Sequence, residues 1–421
     1  MLETLTRAFK TGDLRRRIIF TLWMIIVFRI GAHIPVPGVN ADVIRELFQS
    51  GTLFGLLDLF AGGALSTFSI FAMSIAPYIN ASIIMQLLTV VIPKFEEWSR
   101  EGEEGRKKLT QWTRYGTVLL ALVQGFGIAY FLRQSGALDN PSIFGMAQAV
   151  LTLTAGTAFL MWLGEQMTEH GIGNGISLLI FAGIVSRLPF GLVRLVELFS
   201  VGAISIFNII VLVVLGTAVI VGVVYIQEGQ RRVPVQYSKR VVGRRMYGGQ
   251  STHIPMKINM AGVIPVIFAA SILALPPTLA TFIPADWAQS LARSFNFASP
   301  LYTIAYALLI IFFTYFYTAI QFNPADVSDN LRKHGGYIPG IRPGRPTAEY
   351  LDRVLIRITL AGAVFLAAIS VLPVFFSALT NIPNLYFGGT ALLIVVGVAL
   401  ETMKQIEAHL LMRQYEGFIR R

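Results

Sequence analysis

The sequence predicts an all-α polytopic membrane protein: ten transmembrane helices in two inverted halves of five. Three observations lead there. Of the 421 residues, 54% are hydrophobic and only 14% charged, which excludes a disordered chain and most soluble enzymes. The apolar residues fall in blocks of about 20, the length that crosses a bilayer. When ten such blocks are threaded in series, 28 of the 34 lysines and arginines land on one face.

The spans read from the sequence are 18–37, 71–92, 113–133, 147–168, 172–190, 204–227, 258–280, 299–321, 355–376 and 385–403. The start, "MLETLTRAFKTGDLRRR", lacks the short apolar core and small-residue cleavage site of a signal peptide, so the first span is expected to target the chain. Between the first two spans lies "FGLLDLFAGGALSTF", 54–68. Its apolar stretch is too short to cross, it carries Asp58, and Gly62-Gly63 interrupts it. Such a segment either re-enters the membrane or lies on its surface as an amphipathic helix.

The second span holds "IAPYINASIIMQLL". A helix facing lipid has no use for the amides of Asn80 and Gln86. Residues 79, 83 and 86 share one stripe at helical spacing, so this face is expected to meet something wetter than lipid. Between the fourth and fifth spans, "EHGIGNGIS" (169–177) contains no lysine or arginine. It is either a tight interhelical turn or a backbone recessed into a water-filled funnel.

An even number of spans returns both termini to one side, and the positive-inside rule makes the basic side cytoplasmic. The formal net charge of +11 is then a one-sided charge that attracts acidic lipid, RNA or an acidic protein surface. The ten spans divide into five and five near 191–203, giving halves 1–200 and 201–421. An odd count per half forces opposite orientations, which is the arithmetic of an inverted repeat.

Enzyme chemistry has little to stand on. The chain has no cysteine, so it has no disulfide framework or thiolate site. His33, His170, His253, His334 and His409 form no H-E-x-x-H pair, no phosphate loop is present, and no strand precedes "GIGNGIS". No metal or cofactor is expected. An inverted-repeat secondary solute transporter is the competing class. Coupled transporters hold ionisable groups near the midplane, whereas Glu165, Glu169 and Glu401 here sit at span ends. Arg29 lies in the outer part of the first span and is expected to reach for the interface.

Two loops on the basic face are organised. In "EGQRRVPVQYSKRVVGRRMYGGQSTHIPMK", 228–257, Val233, Val235 and Tyr237 alternate as in a strand, and a second run follows from Val241 to Tyr247. A basic hairpin is expected, carrying Lys239, Arg240, Arg244 and Arg245. In 322–353, "PADVSDNLRKHGG" reads as a short helix stopped by Gly335. "YIPGIRPGRP" reads as neither helix nor sheet but as a stiff tip holding Arg342 and Arg345 outward, and Thr347 is expected to cap the next helix. These charges either anchor topology alone or serve phosphate or carboxylate recognition.

Six stretches resemble a known family: "FAGGALSTFSIFAMSIAPYINASIIMQLL", "REGEEGRKKLTQWTRYGT", "MWLGEQMTEHGIGNGISLLIFAGIV", "GRRMYGGQSTHIPMKINMAGVIPVIFAASI", "GIRPGRPT" and "YFGGTALLIVVGV". They are similar to the SecY family, the channel-forming subunits of the bacterial Sec protein translocase. The resemblance runs from the first span to the last. It implies a channel for unfolded secretory polypeptides and signal peptides in the cytoplasmic membrane, with an hourglass pore that opens sideways to lipid. Segment 54–68, with Asp58, Phe60, Gly62, Gly63 and Ser66, would be a re-entrant plug. Ile79, Ile83, Ile176, Ile180, Ile267 and Ile394 would form the pore ring. Asn80, Gln86 and Asn259 would belong to a lateral gate between the spans of 75–92 and 258–280. Arg342, Arg345, Lys239, Arg240, Arg244 and Arg245 would dock the SecA motor or the ribosome and its RNA. SecE would brace the halves and SecG would attach peripherally. If Ile176 lines a mid-membrane constriction, "GIGNGIS" must be the floor of a cytoplasmic funnel.

Overall fold

Each of the ten predicted spans coincides with a helix in the computed structural model, which describes residues 9–40, 43–44, 64–65, 67–202, 204–237, 240–242, 245–247, 251–280, 294, 299–380 and 389–419. The first half contains α1 (Gly12–Gly31), α2 (Ala76–Val91), the short α3 (Pro93–Arg100), α4 (Glu103–Gln134), α5 (Ile143–His170) and α6 (Gly175–Ser200). The second contains α7 (Ile206–Glu228), α8 (Ile264–Ala280), α9 (Pro300–Gln321), the short α10 (Pro324–Lys333), α11 (Arg345–Thr380) and α12 (Gly389–Ile419).

Sequence chemistry sets many of the boundaries. Ser142, Ser205 and Ser299 cap α5, α7 and α9 by accepting from backbone amides three residues on, the ordinary N-cap arrangement. Pro93 ends α2, because the residue before a proline is pushed out of the α region. The chain turns there by 100° into α3. α4, α5, α6, α7, α9 and α11 are each long and apolar enough to cross a membrane by themselves, and the bent pair α2–α3 passes together. The three remaining helices fall short for visible reasons. α1 begins on Arg15, Arg16 and Arg17, α8 is only 17 residues long, and α12 carries Glu401, Lys404 and Glu407.

α7 is apolar on nearly every face. Ile206, Phe207, Ile210, Val213, Val214 and Val221 are all exposed, and only Val219 and Val223 are buried. Such a helix is stable only in hydrocarbon or against a partner.

Within the first half, α4 packs on α2 and α5, α5 on α6, and α1 on α5 and α6; within the second, α9 packs on α8 and α11, and α12 on α7 and α11. The principal contacts between the halves are two seams, α2 against α8 and α6 against α12. One apolar core passes through both halves and includes Phe28, Phe71, Leu153, Leu163, Ile310 and Leu366.

The basic loop 228–257 forms the expected hairpin. β1 (Gln230–Tyr237) pairs antiparallel with β4 (Ser251–Lys257), with Val233 opposite Ile254, and β2 (Arg240–Val242) pairs with β3 (Arg245–Tyr247) toward the tip. Val233 and Val235 point inward onto a second apolar cluster with Met256, Leu331, Ile338 and Leu351. Two details differ from expectation. Tyr337 belongs to a two-residue strand, β5 (Gly336–Tyr337), that adds to the other edge of β1. Thr347 is no N-cap: α11 begins at Arg345, and the Thr347 hydroxyl donates back to the Arg342 carbonyl at 2.8 Å. Gly335 does end α10, with a φ of +71° that glycine alone adopts readily.

Candidate functional site

The glycine-rich turn is where the chain is held most closely. Asn174 caps α6, accepting from the Ile176 and Ser177 amides at 3.1 and 3.2 Å. The preceding backbone finds partners far away in sequence. The Arg17 guanidinium donates to the Gly171 carbonyl at 3.3 Å, the Ile172 amide to Thr21 Oγ1 at 3.1 Å, and the Gly173 amide to Gln405 Oε1 at 2.9 Å. Gly175 N donates to Thr168 Oγ1 at 2.9 Å. α1, α5 and α12 therefore enclose the turn, and Gly171, Ile172 and Gly173 are buried. The turn is enclosed by helices rather than lying open at their ends. Nothing in "GIGNGIS" itself identifies Thr21 or Gln405 as its partners.

This pinned start directs Ile176 and Ile180, four residues apart, onto one face of α6. Ile176 seats against Gly164 of α5, where an added Cβ would come within 3.0 Å of its Cγ1. From α2 come Ile79 and Ile83, 8% and 3% exposed, while Ile84 turns outward. α8 supplies Ile267, one turn in from its start, and α12 supplies Ile394, fully buried. All six isoleucines lie in, or pack against, the single core that joins the halves. Two of the four contributing helices come from each half.

Two polar groups line the same helix. Asn80 is 6% exposed, and its Oδ1 has no protein partner; Gln86 Oε1 is likewise buried and unpartnered. Gln86 as a whole is half-buried. Asn259 sits before its helix rather than in it. It precedes α8 in the bend 258–263, where its Nδ2 donates to the Gly262 carbonyl at 2.9 Å. Gly262 has a φ of +64°, and the asparagine closes that turn.

Among the basic residues, Arg342 is exposed. Ser328 Oγ, itself buried, donates to the Gly344 carbonyl at 2.6 Å and ties the tip to α10. Arg345 is 91% exposed and pairs with Glu349 at 3.1 Å. Arg240 and Arg245 fall on β2 and β3. Lys239, Arg244 and the plug positions Asp58, Phe60, Gly62, Gly63 and Ser66 lie outside the described residues. Their described neighbours Ala64, Leu65 and Phe68 are buried in the main core. Arg29 is half-buried, and its Nη1 donates to Ser186 Oγ on α6 at 2.9 Å. Glu165 holds Arg114 through two bonds of 3.0 and 2.7 Å, joining α5 to α4.

A family model described as SecY matches residues 69–403. The chain belongs to the SecY family. The protein translocase subunit SecY of Halalkalibacterium halodurans is 52% identical over the whole of both chains. Among solved structures, one described as "The structure of a protein conducting channel" superposes with a TM-score of 0.66 at 18% identity, covering 94% of this chain and 92% of that one. "Sec61 in the Canine ribosome-channel complex from the endoplasmic reticulum" gives 0.62 at 17% identity, covering 94% and 92%. These distant likenesses establish the fold, and the SecY membership places the chain in a family of channel subunits rather than enzymes.

Replacing Gln405 by leucine leaves the Gly173 amide unpaired in a buried turn, at a cost of about 1–3 kcal/mol. Gln405→Glu keeps an acceptor oxygen. Thermal melting of the purified protein should show a clear drop for the first variant and a smaller one for the second. Equal melting of Gln405→Leu and the parent would mean that the turn is held without Gln405.

Proposed function

We propose that the chain forms the pore of a translocase, passing unfolded secretory polypeptides across the cytoplasmic membrane and releasing apolar segments sideways into it. The observation that supports this reading is that six isoleucines, from four helices and both halves, lie in or pack against one apolar core. Isoleucine is stiff at χ1 and binds no ion. A narrow ring of it excludes water and ions by dewetting, yet offers a sliding peptide no hydrogen bonds to stick to.

In this reading the halves 1–200 and 201–421 part along the α2–α8 seam while the α6–α12 seam, next to the link between α6 and α7, acts as the pivot. Asn80 and Gln86 then face the opening and gain water or a passing chain as partners. Segment 54–68 fills the outer funnel as a plug. The exposed tip with Arg342 and Arg345, and the hairpin with Lys239, Arg240, Arg244 and Arg245, dock a SecA-type motor or the acidic surface of a ribosome. SecE- and SecG-type subunits cover apolar faces such as that of α7. Both termini lie in the cytoplasm. A coupled transporter is disfavoured because Glu165 and Glu169 lie in the last turns of α5, and Glu165 is already paired with Arg114.

Three measurements test this reading. Cysteines replacing exposed Gln236 and Asp329 should react with an impermeant reagent only from the cytoplasm, and one at Asn140 only from outside; the opposite pattern would invert the topology. Arg342→Glu should cut SecA-driven transport by at least about tenfold, as expected for reversing a charge at a docking contact. Stability should change by less than about 0.5 kcal/mol at so exposed a site. Unimpaired SecA-driven transport would remove Arg342 from the docking surface. The double variant Ile83→Asn, Ile267→Asn should wet the closed pore and give measurable ion current while still translocating protein. Silent single-channel recordings from that variant, beside a leaking deletion of 54–68, would show that the ring is not the seal.

A further inference from the structure

A second polar feature lies away from the ring, where β1 meets the start of α11. A cavity of about 220 Å³ is lined there by Arg231, Tyr350, Arg353, Val354, Arg357 and Ile358. We infer that this cavity binds the phosphate group of an anionic lipid headgroup.

Arg353 and Arg357 are four residues apart and share one face of α11. Arg231 arrives from another element, the second residue of β1, three positions after α7 ends at Glu228. None of the three makes an ion pair among the described residues, unlike Arg114 with Glu165 or Arg345 with Glu349. Arg353 Nε donates to the Glu349 carbonyl at 3.3 Å, which fixes its stem and leaves its terminal nitrogens for an incoming acceptor. Three arginines and a tyrosine lining one cavity suit a group with several oxygens and more than one negative charge, and phosphate is such a group. Topology alone needs basic residues near a span, not a cavity formed between two elements.

The level of the site points to lipid rather than a soluble phosphate compound. Arg231 comes three residues after the end of α7, whose residues 206–226 are apolar apart from Asn208 and Thr217. Around and past the cavity, Ile356, Leu360 and Val364 are exposed on α11, and Val221 and Tyr225 on α7. The two helices touch where Gly222 meets the Phe365 ring. A headgroup in the cavity would therefore have apolar helix surface for its acyl chains.

The test uses the purified full-length chain in detergent, with bound lipid counted by native mass spectrometry. Phosphatidylglycerol should be retained in preference to phosphatidylcholine. The variant Arg231→Gln, Arg353→Gln, Arg357→Gln should lower that retention at least about tenfold, and Arg106→Gln, Lys107→Gln should leave it unchanged. Glycerol 3-phosphate that neither binds nor displaces the lipid assigns the site to a lipid headgroup. Glycerol 3-phosphate that binds on its own, with loss of binding in the triple variant, keeps the phosphate site but makes its ligand soluble. Equal retention of the two lipids by the parent, or undiminished phosphatidylglycerol on the triple variant, overturns the proposal. If the triple variant does not fold, the single exposed change Arg357→Gln carries the same two outcomes. Lost lipid retention with protein translocation intact would leave the channel reading untouched.

Discussion

A backbone in hydrocarbon must satisfy its own hydrogen bonds, and everything else in this structure is arranged around that constraint. Helices satisfy it automatically. The turn at 171–174 does not, so side chains supply what the broken helix lacks. Thr21 and Gln405 accept from Ile172 and Gly173, Arg17 donates to Gly171, and Thr168 and Asn174 accept from the first amides of α6. A buried turn is tolerated here because helices from both ends of the chain surround it. The same pinning sets where α6 begins, and thereby which face carries Ile176 and Ile180.

The next constraint is packing. Lipid tails are as apolar as leucine, so burying apolar surface does little to drive helix against helix, and close approach must do the work. Small residues at the contacts make that possible. A Cβ at Gly156 would collide with the Ile70 carbonyl, and one at Gly175 with the Gly164 carbonyl. At Gly397 it would meet Gln227 Nε2 at 2.9 Å, where α12 passes α7. That last contact encloses an amide with no hydrogen-bond partner. Such sites cost stability.

What the sequence made legible follows from how local each signal is. Span positions rest on runs of apolar residues, and every run became a helix. Alternation of Val233 and Val235 gave the hairpin, and Gly335 gave the end of α10, because strand period and left-handed φ are properties of a few adjacent residues. Asn259 was misplaced for the converse reason. Hydropathy continues smoothly from 258 into α8, while the positive φ of Gly262 delays the helix to Ile264. Thr347 resembled a cap by type, but the positive φ at Gly344 lets α11 begin two residues earlier. β5 is two residues long and exists only because the edge of β1 is near. The partners Thr21 and Gln405 lie 151 and 232 residues from the turn they hold, and no local pattern reports a contact of that separation. The six isoleucines proposed as a ring rest on family resemblance alone, since an isoleucine in a span carries no mark of what it faces.

For the proposed pore ring, the energetic balance can be argued from composition. A closed channel needs a continuous apolar core between its halves, and Ile79, Ile83, Ile180, Ile267 and Ile394 are all under a tenth exposed. A purely apolar seam would be expensive to open, because separating it exposes that surface to water at roughly 25 cal/mol per Å². The buried oxygens of Asn80 and Gln86 work in the opposite direction. Each is enclosed without a partner, a penalty of about 1–3 kcal/mol that hydration removes. Placed on the helix that carries Ile79 and Ile83, they would, in the proposed channel, raise the energy of the closed arrangement by an amount that the open one recovers. The amides in an otherwise apolar helix thus offset part of the cost of parting the isoleucines, and a seal built this way can be tight without being permanent.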